Sequence, residues 1–260
     1  MRGFALTMGL ALGAGFFLAG TDAAPARSLQ SVTAGGTITL CAHPNALPYA
    51  SKRGDLPGLQ VEIAEALAAR LGVALNRGWV FNTYQLRRTG CDFVLDAIGD
   101  RGALIEVGLR PSRPYHRSGV TLAVRPDGAV ASLADLGKDR RVGVQVGSLV
   151  SMRLGKEGIA VSPFAFEDEI LDALAKGEIA AAAVTPGAVG WFNRQHPETP
   201  IKQIAAFEND PDLNWNVGVG MLSPDDKLRA SMDAAIEALL ADGTIAKLYS
   251  RYGMTAKAPE

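Results

Sequence analysis

Residues able to carry out catalysis are few in this chain, and their spacing argues for binding instead. Its three histidines are His43, His116 and His196, and none belongs to a His-Glu-x-x-His pattern that would hold zinc. Gly147-Ser148 lacks the Gly-x-Ser-x-Gly frame of a nucleophile elbow. Gly218-x-Gly220 lies in an apolar run without a third glycine, so no dinucleotide fingerprint is present. Asp210-x-Asp212-x-Asn214 begins like a calcium loop but has neither the following glycine nor the distal glutamate, and reads as solvated loop acids. No metal, cofactor or catalytic residue is expected.

Binding chemistry is better supplied. The apolar run Thr37 to Ala42 stops abruptly on Cys41-Ala-His-Pro-Asn-Ala-Leu-Pro-Tyr49. Pro44 and Pro48 fix their own φ and bias the preceding residues toward extended conformations, so His43, Asn45 and Tyr49 are presented on a pre-set loop. In an open α/β sheet the crevice beyond the carboxyl ends of the strands is where small molecules bind; the alternative is an ordinary surface turn. Gln145-Val-Gly147-Ser148 ends one strand and opens a helix, which suits an anion or carboxylate, although Ser148 equally suits a structural N-cap. Thr185-Pro186-Gly187 makes the matching turn one βα unit later. Trp191 and Phe192 follow, where one would line the crevice and the other pack in the core.

The elements that position these turns follow a strand and helix rhythm. Leu59, Ile63, Leu67 and Leu71 recur every four residues, with Glu62, Glu65 and Arg70 between them, and predict a helix over 58–71. Strands are predicted at 73–80 and 92–98, a short helix at 83–88, a proline-punctuated extended loop at 110–115 and a strand at 120–124. The pattern restarts with a helical turn at 133–136 and strands at 141–146 and 179–184. Helices are predicted at 166–175 and from Gly187 to Asn193, and a strand at 217–222 carries the chain back toward the first lobe. Helices over 224–240 and 243–252 complete it. This is α/β architecture with a parallel layer in each of two lobes.

Composition bounds the setting. Arg2, the apolar run Phe4 to Ala19 and the small residues through Ala24-Pro25-Ala26 read as an export signal cleaved near Ala23 or Ala26. No cysteine follows closely enough for a lipid anchor, and no later segment is long and apolar enough to span a bilayer, so the expected location is the periplasm. With 26 basic against 27 acidic side chains and a pI near 6.3, nucleic acid is not an expected partner. Cys41 and Cys91 are the only cysteines. An oxidising compartment favours a bridge between them. An offset of three or four residues at ~3.3 Å each between neighbouring strands favours two buried thiols instead.

Together these residues resemble bacterial periplasmic solute-binding proteins of family 3, the amino-acid-binding type, from Thr37 to Gly253. The landmarks are Gly58-Leu-Gln-Val-Glu-Ile-Ala-Glu-Ala-Leu67, Gly90-Cys-Asp92, Pro114-Tyr115 with Arg117-Ser-Gly119, and Leu133-Ala-Asp-Leu136. Val142-Gly-Val-Gln-Val-Gly-Ser148, Ala173-Leu-Ala-Lys-Gly-Glu-Ile179, Asp242-Gly-Thr-Ile245 and Arg251-Tyr-Gly253 follow in order. Within that superfamily the chain resembles the J proteins (MxaJ/XoxJ type) of methanol-oxidation operons, encoded beside quinoprotein alcohol dehydrogenases. Cys41 to Tyr49 carries this likeness, with Gly90-Cys91-Asp92, Pro114-Tyr-His-Arg-Ser118 and Val184-Thr-Pro-Gly-Ala-Val-Gly-Trp191. His43 stands where that group has Asp, and Thr185 where Trp is expected.

The resemblance implies a two-lobed type II periplasmic binding protein, each lobe a mostly parallel sheet flanked by helices, joined by two hinge crossovers. The signal peptide is 1–26, the first lobe 27–124, the second 125–216, and 217–260 returns to the first lobe; the hinges fall near 124–127 and 214–219. The implied cleft is bordered by His43, Asn45, Tyr49, Asp96, Arg101, Tyr115, Gln145, Gly147, Ser148, Thr185 and Trp191. An amino-acid receptor of this type holds the ligand carboxylate with an arginine where Ile105 stands here. It holds the ammonium with an acid where Ala181 and Thr185 stand, so a free amino acid is not the expected ligand. The implied role is a non-enzymatic accessory to a pyrroloquinoline quinone (PQQ)-dependent alcohol dehydrogenase. Its alternative is the receptor of an ABC importer for a small polar or organic-acid solute, with an ABC permease as partner. A third reading, similarity to cyclohexadienyl dehydratases, would use Glu167 or Asp96 with Arg101.

Overall fold

The computed structural model describes residues 27–98 and 108–260. The predicted signal segment, Arg101 and Ile105 lie outside the described residues. Two five-stranded sheets account for the architecture. The first has the order β4-β1-β5-β12-β6, with β1 Thr37–Ala42, β4 Ala74–Trp79, β5 Phe93–Ile98, β6 Leu109–Gly119 and β12 Asn214–Leu222. The second has the order β11-β7-β10-β8-β9, with β7 Thr121–Val124, β8 Val142–Gln145, β9 Val161–Phe164, β10 Ala181–Val184 and β11 Lys202–Ile204. β2 Asn45–Ala46 and β3 Ala50–Ser51 form a small hairpin.

Strand direction follows the expected pattern. β1 is parallel to β4 and β5, while β12 is antiparallel to both β5 and β6, so four of five strands point one way. The second sheet repeats this, with β7 reversed against β10 and β11 and β8 parallel to β9 and β10. The reversed strands β12 and β7 are the ones that carry the chain across between the sheets.

The crossings differ from expectation. Thr121 to Val124 pairs with β10 and β11, so the first crossing falls at Gly119–Val120 and not at 124–127. Asn214 to Asn216 already pairs with β6, so the return begins at Asn214, inside the expected hinge of 214–219 but ahead of the lobe boundary at 217. Both crossings continue an extended chain without a break in hydropathy, and the sequence therefore carries no mark at the boundary. Val120 N–H donates to the Leu213 carbonyl at 2.9 Å, joining the two crossings. A Cβ on Gly119 would lie 2.7 Å from that carbonyl oxygen and 2.6 Å from Asn214 Oδ1, so only glycine permits this approach.

The predicted loop at 110–115 is in fact the first half of β6. Its prolines, Pro111 and Pro114, are tolerated because β6 is an edge strand, whose outer N–H groups need no partner. Helices cover both sheets: α1 Leu29–Gly35, α2 Leu59–Arg70, α3 Leu86–Thr89, α4 Leu149–Lys156, α5 Glu167–Ala175, α6 Pro186–Gln195, α7 Asp226–Ala241 and α8 Thr244–Arg251. The apolar stripe of α2 packs with Met232, Ile236 and Tyr249 against Leu40 and Phe93. On the other face Cys41, Val80, Leu86, Cys91 and Leu109 form a smaller core.

Cys41 and Cys91 are bridged, with Cα atoms 5.5 Å apart. The offset that favoured free thiols assumed that Cys91 continues the line of β5. Instead pairing begins at Leu40 opposite Phe93, and the chain before it turns inward, with Asp92 N–H donating to the Thr39 carbonyl at 2.9 Å. Asp92 is 4% exposed, and burial pushes its carboxyl up, opposed by the Thr39 N–H and by Arg27. Arg27 Nε lies 2.8 Å from Asp92 Oδ1, and its carbonyl accepts from Asp225 N–H at 3.0 Å. The first described residue thus neutralises a buried acid. Arg27→Ala is expected to cost about 1–2 kcal/mol in a denaturant melt, less than for a fully buried pair because the Arg27 side chain is 40% exposed.

Candidate functional site

The carboxyl ends of the parallel strands in the two sheets face each other across a cleft of about 560 Å³. Its floor is the pair of crossings, from Ser118 to Thr121 with Asn214 and Trp215. Tyr49, Gln60 and Asp96 line it from the first sheet's side, and Thr185, Pro186, Gly187 and Gln203 from the second. A cleft of this size suits a small molecule.

Tyr49 is set by the start of α2. Leu59 N–H donates to the Pro48 carbonyl and Gln60 N–H to the Tyr49 carbonyl, each at 2.8 Å. Across the cleft, the Tyr49 hydroxyl reaches the Thr185-Pro186-Gly187 turn, so closely that a Cβ on Gly187 would lie 2.7 Å from it. Burial, together with the Glu167 and Asp96 carboxylates, pushes that phenol well up. Thr185 caps α6, accepting from Ala188 N–H at 3.3 Å, and donates to Glu167 through its N–H at 2.5 Å and its hydroxyl at 2.8 Å. Burial pushes the Glu167 carboxyl up, and the two Thr185 bonds oppose this.

Asp96 has a backbone φ of +55°, a left-handed conformation uncommon for a non-glycine residue. It sits where the register of β5 against β12 shifts between Gly218 and Gly220. Tyr115 Oη donates to Asp96 Oδ1 at 2.6 Å, accepts from Asp96 N–H at 3.0 Å, and is itself buried; Gln60 Nε2 donates to Asp96 Oδ2 at 2.7 Å. A strained backbone held by its surroundings in a cleft is a mark of functional positions.

Of the expected cleft residues, Tyr49, Asp96 and Thr185 come together, with Tyr115 behind Asp96. The other described ones do not line this cleft, and Arg101 lies outside the described residues. His43 stacks edge-on against Phe81 at 5.4 Å, and its Nδ1 accepts from Asn45 N–H at 3.2 Å, while Asn45 itself is exposed on the hairpin. Gln145 Nε2 donates to the Ala165 carbonyl at 3.1 Å. Ser148 takes the structural alternative and caps α4, accepting from Ser151 N–H at 3.3 Å; Gly147 is exposed beside it. Trp191 packs against the first lobe's core, 6.1 Å from Tyr252, because the tight approach of Gly190 to the Gly253 carbonyl brings α6 onto the end of α8. Ala181, at the far end of β10, is buried in the core and cannot meet a ligand.

Several lining residues escaped the sequence reading: Gln60, His116, Arg117, Glu208, Trp215, Tyr249 and Lys257. Gln60 follows Gly58 and Leu59 at the helix start, a position that the strand-end rule covers. The rest belong to the crossings and the C-terminal segment. There Lys257 N–H donates to His116 Nδ1 at 3.0 Å, and Arg117 N–H to the Lys257 carbonyl at 3.1 Å. Burial holds the His116 imidazole below its ordinary 6.5, with Asp96 opposing. As pH falls below 6.5 the unfolded chain therefore takes up this proton before the folded one, and stability is lost until the folded value is passed. Asp92 and Glu167, with raised values, act with the opposite sign at lower pH. His116→Asn is expected to flatten the melting temperature against pH below 6.5.

Among the described residues no group of three or more His, Cys, Asp or Glu side chains is placed to hold a metal, and no helix is long and apolar enough to cross a membrane.

The chain belongs to the bacterial extracellular solute-binding proteins, family 3, whose model matches residues 38–255. Solved structures share the fold. The L-cystine solute receptor of Neisseria gonorrhoeae, in its unliganded open conformation, is 22% identical with a TM-score of 0.73, covering 90% of this chain and 100% of its own. An ancestral cationic amino acid solute binding protein is 21% identical with a TM-score of 0.72, covering 86% and 99%. The amino acid ABC transporter substrate-binding protein AbpA of Streptococcus pneumoniae, bound to L-arginine, is 18% identical with a TM-score of 0.63, covering 86% and 97%. Comparison with curated proteins finds no match. The family is one of extracytoplasmic binding proteins, and its two-lobed α/β fold is the one described above.

Proposed function

We propose that this chain is a periplasmic solute receptor that closes its lobes on a small polar solute and delivers it to an ABC permease. The observation that carries this reading is the approach of the Tyr49 hydroxyl to the Thr185–Gly187 turn across the cleft. It joins groups from the carboxyl ends of both sheets, where a ligand would be gripped from two sides as the crossings flex. Lobe closure needs ligand contacts that exist only in the closed form. A thermal-shift screen of the purified mature protein tests it. A solute at one hundred times its dissociation constant adds roughly 2.7 kcal/mol of stability. A flat response across amino acids, polyamines, sugars and organic acids counts against a receptor.

A second reading is favoured by exposed apolar side chains at the strand ends of both lobes. Phe81 is 69% exposed and Tyr84 92% on the first lobe, and Val146 is 66% and Phe166 63% exposed on the second. All four lie just beyond the carboxyl ends of β4, β8 or β9, the strands remote from the crossings. Such exposed apolar groups suit a protein segment, in keeping with the resemblance to accessories of PQQ-dependent alcohol dehydrogenases. Retention on the immobilised apo or holo dehydrogenase tests this role; failure to bind either form, by folded protein, removes it.

A further inference from the structure

We propose that the cleft takes a small organic cation, an amine or guanidinium compound without a carboxylate, with Asp96 as its counter-charge. This rests on the receptor reading and deepens it. Among the described residues four charged side chains line the cleft: Asp96, Arg117, Glu208 and Lys257. Arg117 is engaged by Glu260, and Lys257 Nζ lies 3.9 Å from Glu208, so each of these cations has its own acid. Among the described residues Asp96 makes no ion pair; its oxygens accept only from the neutral Tyr115 and Gln60. Glu167, behind Thr185, accepts from the neutral Thr185 N–H and hydroxyl.

One carboxylate from each lobe thus stands near the Tyr49 hydroxyl, Asp96 in the same cavity lining and Glu167 behind the Thr185–Gly187 turn, and both push its phenol up. Asp96 shares the cavity lining with Tyr49, His116 and Tyr249, and Tyr115 donates to it from behind. Tyr49, Tyr249 and Trp215 line the cavity itself. Aromatic walls around a carboxylate satisfy a cation with an apolar body, which loses little hydration and gains charge and ring contacts together. A ligand carboxylate would meet Asp96 with its own sign, and the two cations among the described lining residues, Arg117 and Lys257, are already paired.

Isothermal titration of the mature protein with matched pairs tests the assignment: agmatine against arginine, cadaverine against lysine, with choline, succinate and glucose alongside. The amine is expected to bind about tenfold or more tightly than its amino acid, and Asp96→Asn to weaken it about tenfold or more while the melting temperature is kept. Glu167→Gln, expected to weaken binding less, serves if the Asp96 variant does not fold, and the matched pairs need no variant. Amino acids or succinate binding as tightly as the amines, or an amine indifferent to Asp96→Asn, overturns the cation assignment and leaves the receptor standing. Binding of none of these probes overturns both.

Discussion

The double variant Cys41→Ser/Cys91→Ser is expected to lower stability by about 4 kcal/mol, and the melting temperature by about 10 °C. The bridge closes a separation of 50 residues that spans β1, the ligand-side loop, α2, β4 and α3. Loop-closure entropy removed from the unfolded chain over that length accounts for the figure. Packing argues in the same direction. Gly78 stands opposite Cys41 across β4, and a Cβ there would lie 2.6 Å from the Cys41 sulfur and 2.9 Å from Thr89 Cγ2. The small core of Val80, Leu86, Leu109 and Leu222 is built around the bridge, and reduction leaves two thiols that hold the chain before β5 only through the Asp92 hydrogen bonds. Melting the oxidised protein with and without reductant reads the effect without any substitution. Coincident curves, with thiol titration confirming reduction, would mean that the bridge adds nothing.

The α/β rhythm was legible because each element signals itself locally. Leu59, Ile63 and Leu67 mark one face of α2, and Ile179 to Val184 is apolar enough to require a central strand. The crossings were not legible, since nothing in an extended apolar segment says which sheet it joins; only the pairing partners of Thr121–Val124 decide that. The candidate site divides along the same line. Tyr49 and Thr185 were found because they stand at strand ends, a position that the fold assigns. Tyr249 and Trp215 carry no local mark of a site; Tyr249 is buried, and it also borders the cleft because α8 ends beside the crossings. Of the two readings at Gly147-Ser148 the structure shows the N-cap, for a reason intrinsic to helix starts: the hydroxyl that would meet a ligand also satisfies an orphan N–H of its own helix, and here it does.

Gly58→Ala is expected to cost about 3 kcal/mol and to weaken any ligand of the cleft, because the same atoms support the fold and place Tyr49. Gly58 has φ +100°, outside the range of alanine, and its N–H donates to the buried Tyr252 hydroxyl at 3.0 Å. A Cβ there would lie 2.4 Å from the Tyr49 carbonyl oxygen and 2.5 Å from Ala50 Cα. Both are backbone atoms, so no rotamer change relieves the clash and the loop itself must move. That loop is tied to α2 by the Leu59 and Gln60 N–H groups, and Gln60 also holds Asp96. Displacement is therefore expected to reach both lobes' polar groups, separating Tyr49 from Thr185 and loosening Asp96. Gly54→Ala is the control. It has a similar φ of +94° but open space around its Cβ, so it carries the backbone cost alone, about 1 kcal/mol, and leaves Tyr49 in place. Denaturant melts and ligand titration of the two variants side by side separate conformational strain from displacement of the site. Equal losses in both would show that the approach of Gly58 to the Tyr49 loop is not what positions the cleft.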